Sequence, residues 1–89
     1  MDDLELIKLA GKAADIEYTP ENNPLNDDAL ALRLAVKLGL GIRFYLDGVG
    51  VGEEYEMNQE DPYAATRRCI VRAAAAIGES LDGNKNSRP

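Results

Sequence analysis

The chain has 89 residues, 45% hydrophobic and 29% charged, with ten basic side chains against sixteen acidic ones and a net charge of −6. That length holds one core, and the composition excludes wholesale disorder. With no histidine and one cysteine, Cys69, the common zinc boxes, Cys/His catalytic pairs and an internal disulfide are excluded, and the acidic balance disfavours general nucleic-acid binding.

Charge is unevenly spread, with eight acids and two bases in residues 1–30 but three acids and five bases in residues 61–89, so a local basic face is compatible with the average. No apolar run is long enough to cross a bilayer, and Met1-Asp2-Asp3-Leu4-Glu5 lacks the basic start and apolar centre of a leader. The expectation is a cytoplasmic protein with no membrane contact.

Asp2 or Asp3 can cap a first helix over residues 4–15, in which Leu6, Leu9, Ala10 and Ala13 share one side and Lys8 and Lys12 the other. Gly11 costs this helix roughly 1 kcal/mol against alanine, which marks a close helix contact. Residues 16–18 suit a very short strand. The two prolines and polar residues of segment 19–24 then predict a solvated loop.

The second helix, over residues 27–38, has the fullest signals. Asn26 suits its N-cap, Asp27 and Asp28 complement its positive end, and Leu25 with Leu30 forms a staple across the cap. Gly39 can end it in the left-handed conformation, with Leu40 folding back on Leu34 or Ala35. Leu30, Ala31, Leu34, Ala35 and Leu38 form a stripe that Leu32 and Val36 widen, leaving only Arg33 and Lys37 as a wet strip. This helix is therefore expected to be the interior rod around which the chain packs.

Ile42, Phe44 and Leu46 alternate with Arg43 and Tyr45 as a half-covered strand, and Asp47-Gly48 predicts a two-residue turn placing Leu46 opposite Val49 and Phe44 opposite Val51. Gly50 and Gly52 on the returning strand allow a bulge or a close neighbour. The glycines of segment 48–52 resemble a phosphate loop only superficially, because Glu53, Glu54 and Glu56 follow them in place of a helix N-terminus.

The last helix opens at Asp61-Pro62, with Tyr63, Thr66, Ile70, Ala73, Ala74, Ile77 and Leu81 as its buried stripe and Gly83 as its end. Its alanines, 73–76, let it lie close to the sheet or another helix. One domain is expected over residues 1–83, with a flexible tail at 84–89.

Arg67, Arg68 and Arg72 are the candidate partner or anion contacts, since guanidinium groups match carboxylate and phosphate. Against that stands screening by Glu53, Glu54, Glu56 and Glu60. The carboxylate pairs Asp2/Asp3, Asp27/Asp28 and Glu53/Glu54 could in principle divide acid and base roles or hold a hard cation, but their spacing is unspecific. Cys69, beside Arg68, reads as a small apolar residue of an amphipathic helix. Nothing assigns a catalytic residue, cofactor or metal ligand. The acidic front half also allows a mimic of nucleic acid that competes for a basic groove on a partner.

The segments 23–39, opening Asn-Pro-Leu, and 63–78 carry a resemblance to a family of small bacteriophage and prophage proteins grouped as a phage α-β-α sandwich domain. Members often have a longer segment before Asn-Pro-Leu, commonly with a neighbouring tryptophan; here the connection is short and tryptophan is absent. The resemblance implies a phage-encoded protein of the host cytoplasm, with helices flanking a small sheet and no activity to carry onto any residue.

Pattern and resemblance together predict an α+β fold in the order α-α-β-β-α, a small antiparallel hairpin sheet packed with helices. A two-stranded sheet is marginal, so either residues 16–18 add an edge strand or a second subunit, in a homodimer, completes it. The expected function is that of a non-enzymatic phage accessory protein binding a host or phage protein. The alternative is nucleic-acid or nucleotide binding through the basic face of the last helix.

Overall fold

Small side chains in the last helix decide the architecture, because they let one helix be covered from two directions. The computed structural model describes residues 1–87, with side chains through residue 81. Its elements are α1 (Asp3–Ala14), α2 (Asp28–Leu38), β1 (Ile42–Phe44), β2 (Gly48–Val51), β3 (Glu54–Met57) and α3 (Pro62–Ser87). This is an α+β fold of order α-α-β-β-β-α, one strand more than the expected pattern.

Helix α3, not α2, is the centre. Ala65, Cys69, Ile70, Val71, Ala73, Ala74 and Ala75 are all buried, between the sheet on one side and α1 with α2 on the other. The expected stripe is thus rotated and widened: Tyr63, Ile77 and Leu81 are exposed. Asp61 caps this helix by accepting from the Tyr63 and Ala64 N–H groups at 3.0 and 3.2 Å. The helix passes Gly83, where an end was expected, and continues to Ser87. The rest of the expected 84–89 tail lies outside the described residues.

Helix α1 is capped by Asp2, whose carboxylate accepts from Glu5 N–H at 2.9 Å. It buries Leu6, Ile7, Ala10, Gly11 and Ala14, chiefly against α3, a stripe shifted from the expected one. It ends at Asp15 in the left-handed conformation, φ 59°, with Ile16 N–H bonded back to the Gly11 carbonyl at 2.8 Å. Gly11 does answer to a close contact, but with this returning chain: a Cβ there would stand 2.3 Å from the Ile16 carbonyl oxygen.

Residues 16–18 form no strand. The loop after them is not wholly solvated, because Asn23 and Pro24 are buried. The Asn23 amide donates to the carbonyls of Thr19 and Pro20 at 2.9 and 3.0 Å, and its oxygen accepts from Leu25 N–H at 2.9 Å. One side chain thereby satisfies three backbone groups of a turn that has no secondary structure to do so.

Helix α2 starts one residue later than expected, with Asp27 as its cap accepting from Leu30 N–H at 3.1 Å. Its stop is as expected: Gly39 has φ 66°, and Leu40 N–H reaches the Ala35 carbonyl at 2.8 Å. Only Ala31, Leu34 and Ala35 are buried, whereas Leu32 and Val36 lie in water. The interior rod of the sequence reading is therefore a peripheral helix, since the sheet packs on α3 and no described residue covers the far side of α2.

The sheet has strand order β1-β2-β3, both pairs antiparallel. The β1–β2 register, Ile42↔Val51 and Phe44↔Val49, is displaced from the expected one, because Tyr45 and Gly48 pair across a turn of Leu46 and Asp47. Leu46 is consequently fully exposed at the tip. The extra strand arises at Gly52-Glu53: Gly52, φ 60°, stands first in a two-residue turn between Val51 and Glu54, as a type II′ hairpin requires.

Candidate functional site

The three arginines singled out from the sequence sit on α3 but turn to three different elements. Arg67 donates to the Leu25 carbonyl at 2.8 Å and pairs with Asp28 of α2 at 2.7 Å. Arg68 pairs with Asp3 of α1 at 3.1 Å. Arg72 reaches over the edge of the sheet, pairing with Glu54 at 2.8 Å and also with Glu56. The hydrogen bond that Arg72 donates to Glu56, more than any other influence, holds its guanidinium above its already high ordinary value.

The register explains the Arg72 clamp. Glu54 and Glu56 stand opposite Val51 and Val49, so they share the face that packs on α3. Of the acids weighed as screens, these two act on Arg72; Asp28 and Asp3 take the other two arginines. The arginines therefore tie α3 to α2, α1 and β3 in turn and do not gather into one basic face.

The remaining chemical candidates are likewise absorbed. Asp2 and Asp27 are helix caps. Cys69 is buried with its sulfur 3.5 Å from the Val49 carbonyl oxygen, and burial pushes its thiol up, so it is a neutral thiol at pH 7. Segment 48–52 is a strand and a turn leading into another strand. Among the described residues, no cluster of three or more His, Cys, Asp or Glu is disposed to hold a metal.

The sheet's other face is where polar and aromatic groups converge. Val49 and Val51 point to α3 and are wholly buried, so Gly48 and Gly50 present the opposite face. Across that glycine floor lie Tyr55 and Arg43: a Cβ at Gly48 would stand 2.3 Å from the Tyr55 hydroxyl, and one at Gly50 2.7 Å from an Arg43 nitrogen. Arg43 donates to the Gly52 carbonyl at 2.9 Å and to the Tyr45 hydroxyl at 3.3 Å, and Tyr55 donates to Asp47 at 3.1 Å. The Tyr45 and Tyr55 rings are 6.1 Å apart, tilted by 47°. Arg43, Tyr45, Tyr55 and Met57 remain exposed on this face.

Sequence reasoning missed this surface. Its signal was the Gly-Val-Gly-Val alternation of residues 48–51, which puts both glycines on one face and so announces that bulky neighbours lie across them. Identifying those neighbours required the third strand and its register.

An apolar groove of about 530 Å³ lies between α2, β1 and the start of α3. Ala31, Ile42 and Ile70 contribute to its lining along with the exposed Leu32, Phe44 and Tyr63. Its charged lining residues, Asp28 and Arg67, neutralise each other.

Compared with protein-family models, with curated proteins and with solved structures, the chain matches none. No helix among the described residues is long and apolar enough to cross a membrane.

Proposed function

We infer that this is a small non-enzymatic phage accessory protein that acts by binding a host or phage protein, and that the open sheet face is its contact surface. The observation that carries the reading is the exposed set Arg43, Tyr45, Tyr55 and Met57, residue types enriched in the cores of protein interfaces. Arg43, Tyr45 and Tyr55 are held by hydrogen bonds before any partner arrives, so little side-chain freedom is lost on docking. The phage assignment rests on the resemblance of segments 23–39 and 63–78. A binding role rather than catalysis is supported by the buried neutral thiol and by arginines and carboxylates engaged with one another.

Those ion pairs weigh against nucleic-acid binding through Arg67, Arg68 and Arg72, because a phosphate must displace a carboxylate already in place. Affinity capture from bacterial lysate separates the two readings. Wild-type protein is expected to retain a protein partner that Met57→Lys and Tyr55→Ser lose with unchanged circular dichroism. Recovery of nucleic acid that is released by salt and lost in Arg68→Ala favours the alternative, and capture indifferent to Met57 and Tyr55 rejects the assigned face.

A further inference from the structure

We propose that the groove and the free edge of β1 form the contact between two copies of this chain, joining their sheets into one of six strands. The argument starts from hydrogen bonding. Tyr45 and Gly48 exchange N–H···O bonds at 2.8 and 3.4 Å, and antiparallel alternation then turns Arg43 inward to Gly50. The N–H and C=O groups of Ile42 and Phe44 are left pointing outward from the sheet edge, a template for a further strand.

The apolar area at this edge is that of an interface. Leu32, Phe44 and Tyr63, which line the groove, are 60%, 70% and 71% exposed, and Leu46 at the hairpin tip is fully so. With roughly 150–250 Å² on each aromatic residue and somewhat less on each aliphatic one, these four expose on the order of 500 Å². Two copies together bring on the order of 1,000 Å², the size at which a specific interface begins, before the paired β1 backbone is counted.

The same stretch is self-complementary, as a two-fold contact demands. Pairing two β1 strands antiparallel about Phe44 sets Phe44 against Phe44, Ile42 against Leu46 of the second copy, and Arg43 against Tyr45 of the second copy. Pairing about Arg43 would instead set two like charges face to face, which is destabilising. In the favoured register the exposed Leu46 projects on the face that carries Ile42 and Phe44, so the knob at each hairpin tip meets the groove of the other copy. The mutual neutralisation of Asp28 and Arg67 leaves no net charge in that groove to oppose association.

Sedimentation equilibrium on the full chain, from micromolar to millimolar concentration, tests this. The expected result is a species of twice the 9.7 kDa chain mass. Leu46→Asp and Leu32→Lys, which alter exposed side chains, are expected to weaken association at least tenfold with the circular dichroism of the folded chain retained, whereas Met57→Lys leaves association intact. A chain that stays at 9.7 kDa throughout overturns the proposal, as does a dimer unaffected by both substitutions. If the chain is monomeric and the Leu32 and Leu46 variants instead lose a captured partner, the groove serves a different protein and the second copy is rejected.

Discussion

Gly78 of α3 meets the backbone of Leu9 on α1 so closely that a Cβ added there would stand 2.1 Å from the Leu9 carbonyl oxygen. This is the close helix contact that the sequence reading placed at Gly11. It lets Ala10, Ala14, Ala74 and Ala75 bury fully although none is large.

Gly78→Ala should therefore destabilise the protein by about 1–3 kcal/mol, although alanine is the better helix former by roughly 1 kcal/mol. Ala76→Gly, exposed on the same helix, should lose about 1 kcal/mol through propensity alone. Urea unfolding of both variants measures the contrast, and a stabilised Gly78→Ala protein would contradict the packing.

Asn23→Ala removes the acceptor for Leu25 N–H and the donors to the Thr19 and Pro20 carbonyls from the one buried polar side chain of a largely exposed turn. We expect a loss of about 1–2 kcal/mol, the usual net worth of one or two hydrogen bonds whose backbone partners water can reach. Hydrogen exchange at the Leu25 amide should quicken in this variant beyond what the fall in global stability explains.

Arg72→Met leaves Glu54 and Glu56 side by side without their cation. Because all three side chains are partly exposed, the expected loss is about 1–2 kcal/mol, below that for a fully buried pair. Adding Glu54→Gln and Glu56→Gln should restore most of it. Thermal unfolding of the single and triple variants distinguishes a lost charge partner from lost packing of the arginine stem.

Stability should fall at alkaline pH, partly through Cys69. Burial holds its folded-state pKa above the ordinary 9.0, so above that value the unfolded chain loses a proton that the native state keeps. The contribution is complete below pH 9.0 and is lost as pH rises through the folded value. Tyr18 and Tyr55, also raised, act with the same sign at higher pH. Cys69→Ala should flatten the first part of the decline in denaturant midpoint against pH. In the wild type, thiol reagents should react only as the protein unfolds.

Elements governed by neighbours along the chain were legible before any coordinates. Asp2, Asp61 and Gly39 cap or end helices as their residue types announce, and alternation in segment 42–46 marked a strand. The hairpin register was not legible. Asp47-Gly48 favours one turn locally, yet the observed turn lets Phe44 pair with Val49 and leaves the glycines free to receive Tyr55 and Arg43.

The arginines show the same division. Their position on the last helix followed from spacing, and carboxylate screening was foreseeable from the surplus of acids. Which acid meets which arginine was not, because Asp3 lies 65 residues from Arg68 in the chain and Asp28 lies 39 from Arg67.

By itself the sequence determined helix ends, strand character and the residues able to be buried, since these depend on backbone conformation and periodicity within a few residues. Only the tertiary structure decided which helix is central. Leucine content argued for α2, but burial depends on being covered from more than one side, and close approach from two sides is open to the alanine-rich α3, whose small side chains and Gly78 admit α1 and the sheet together.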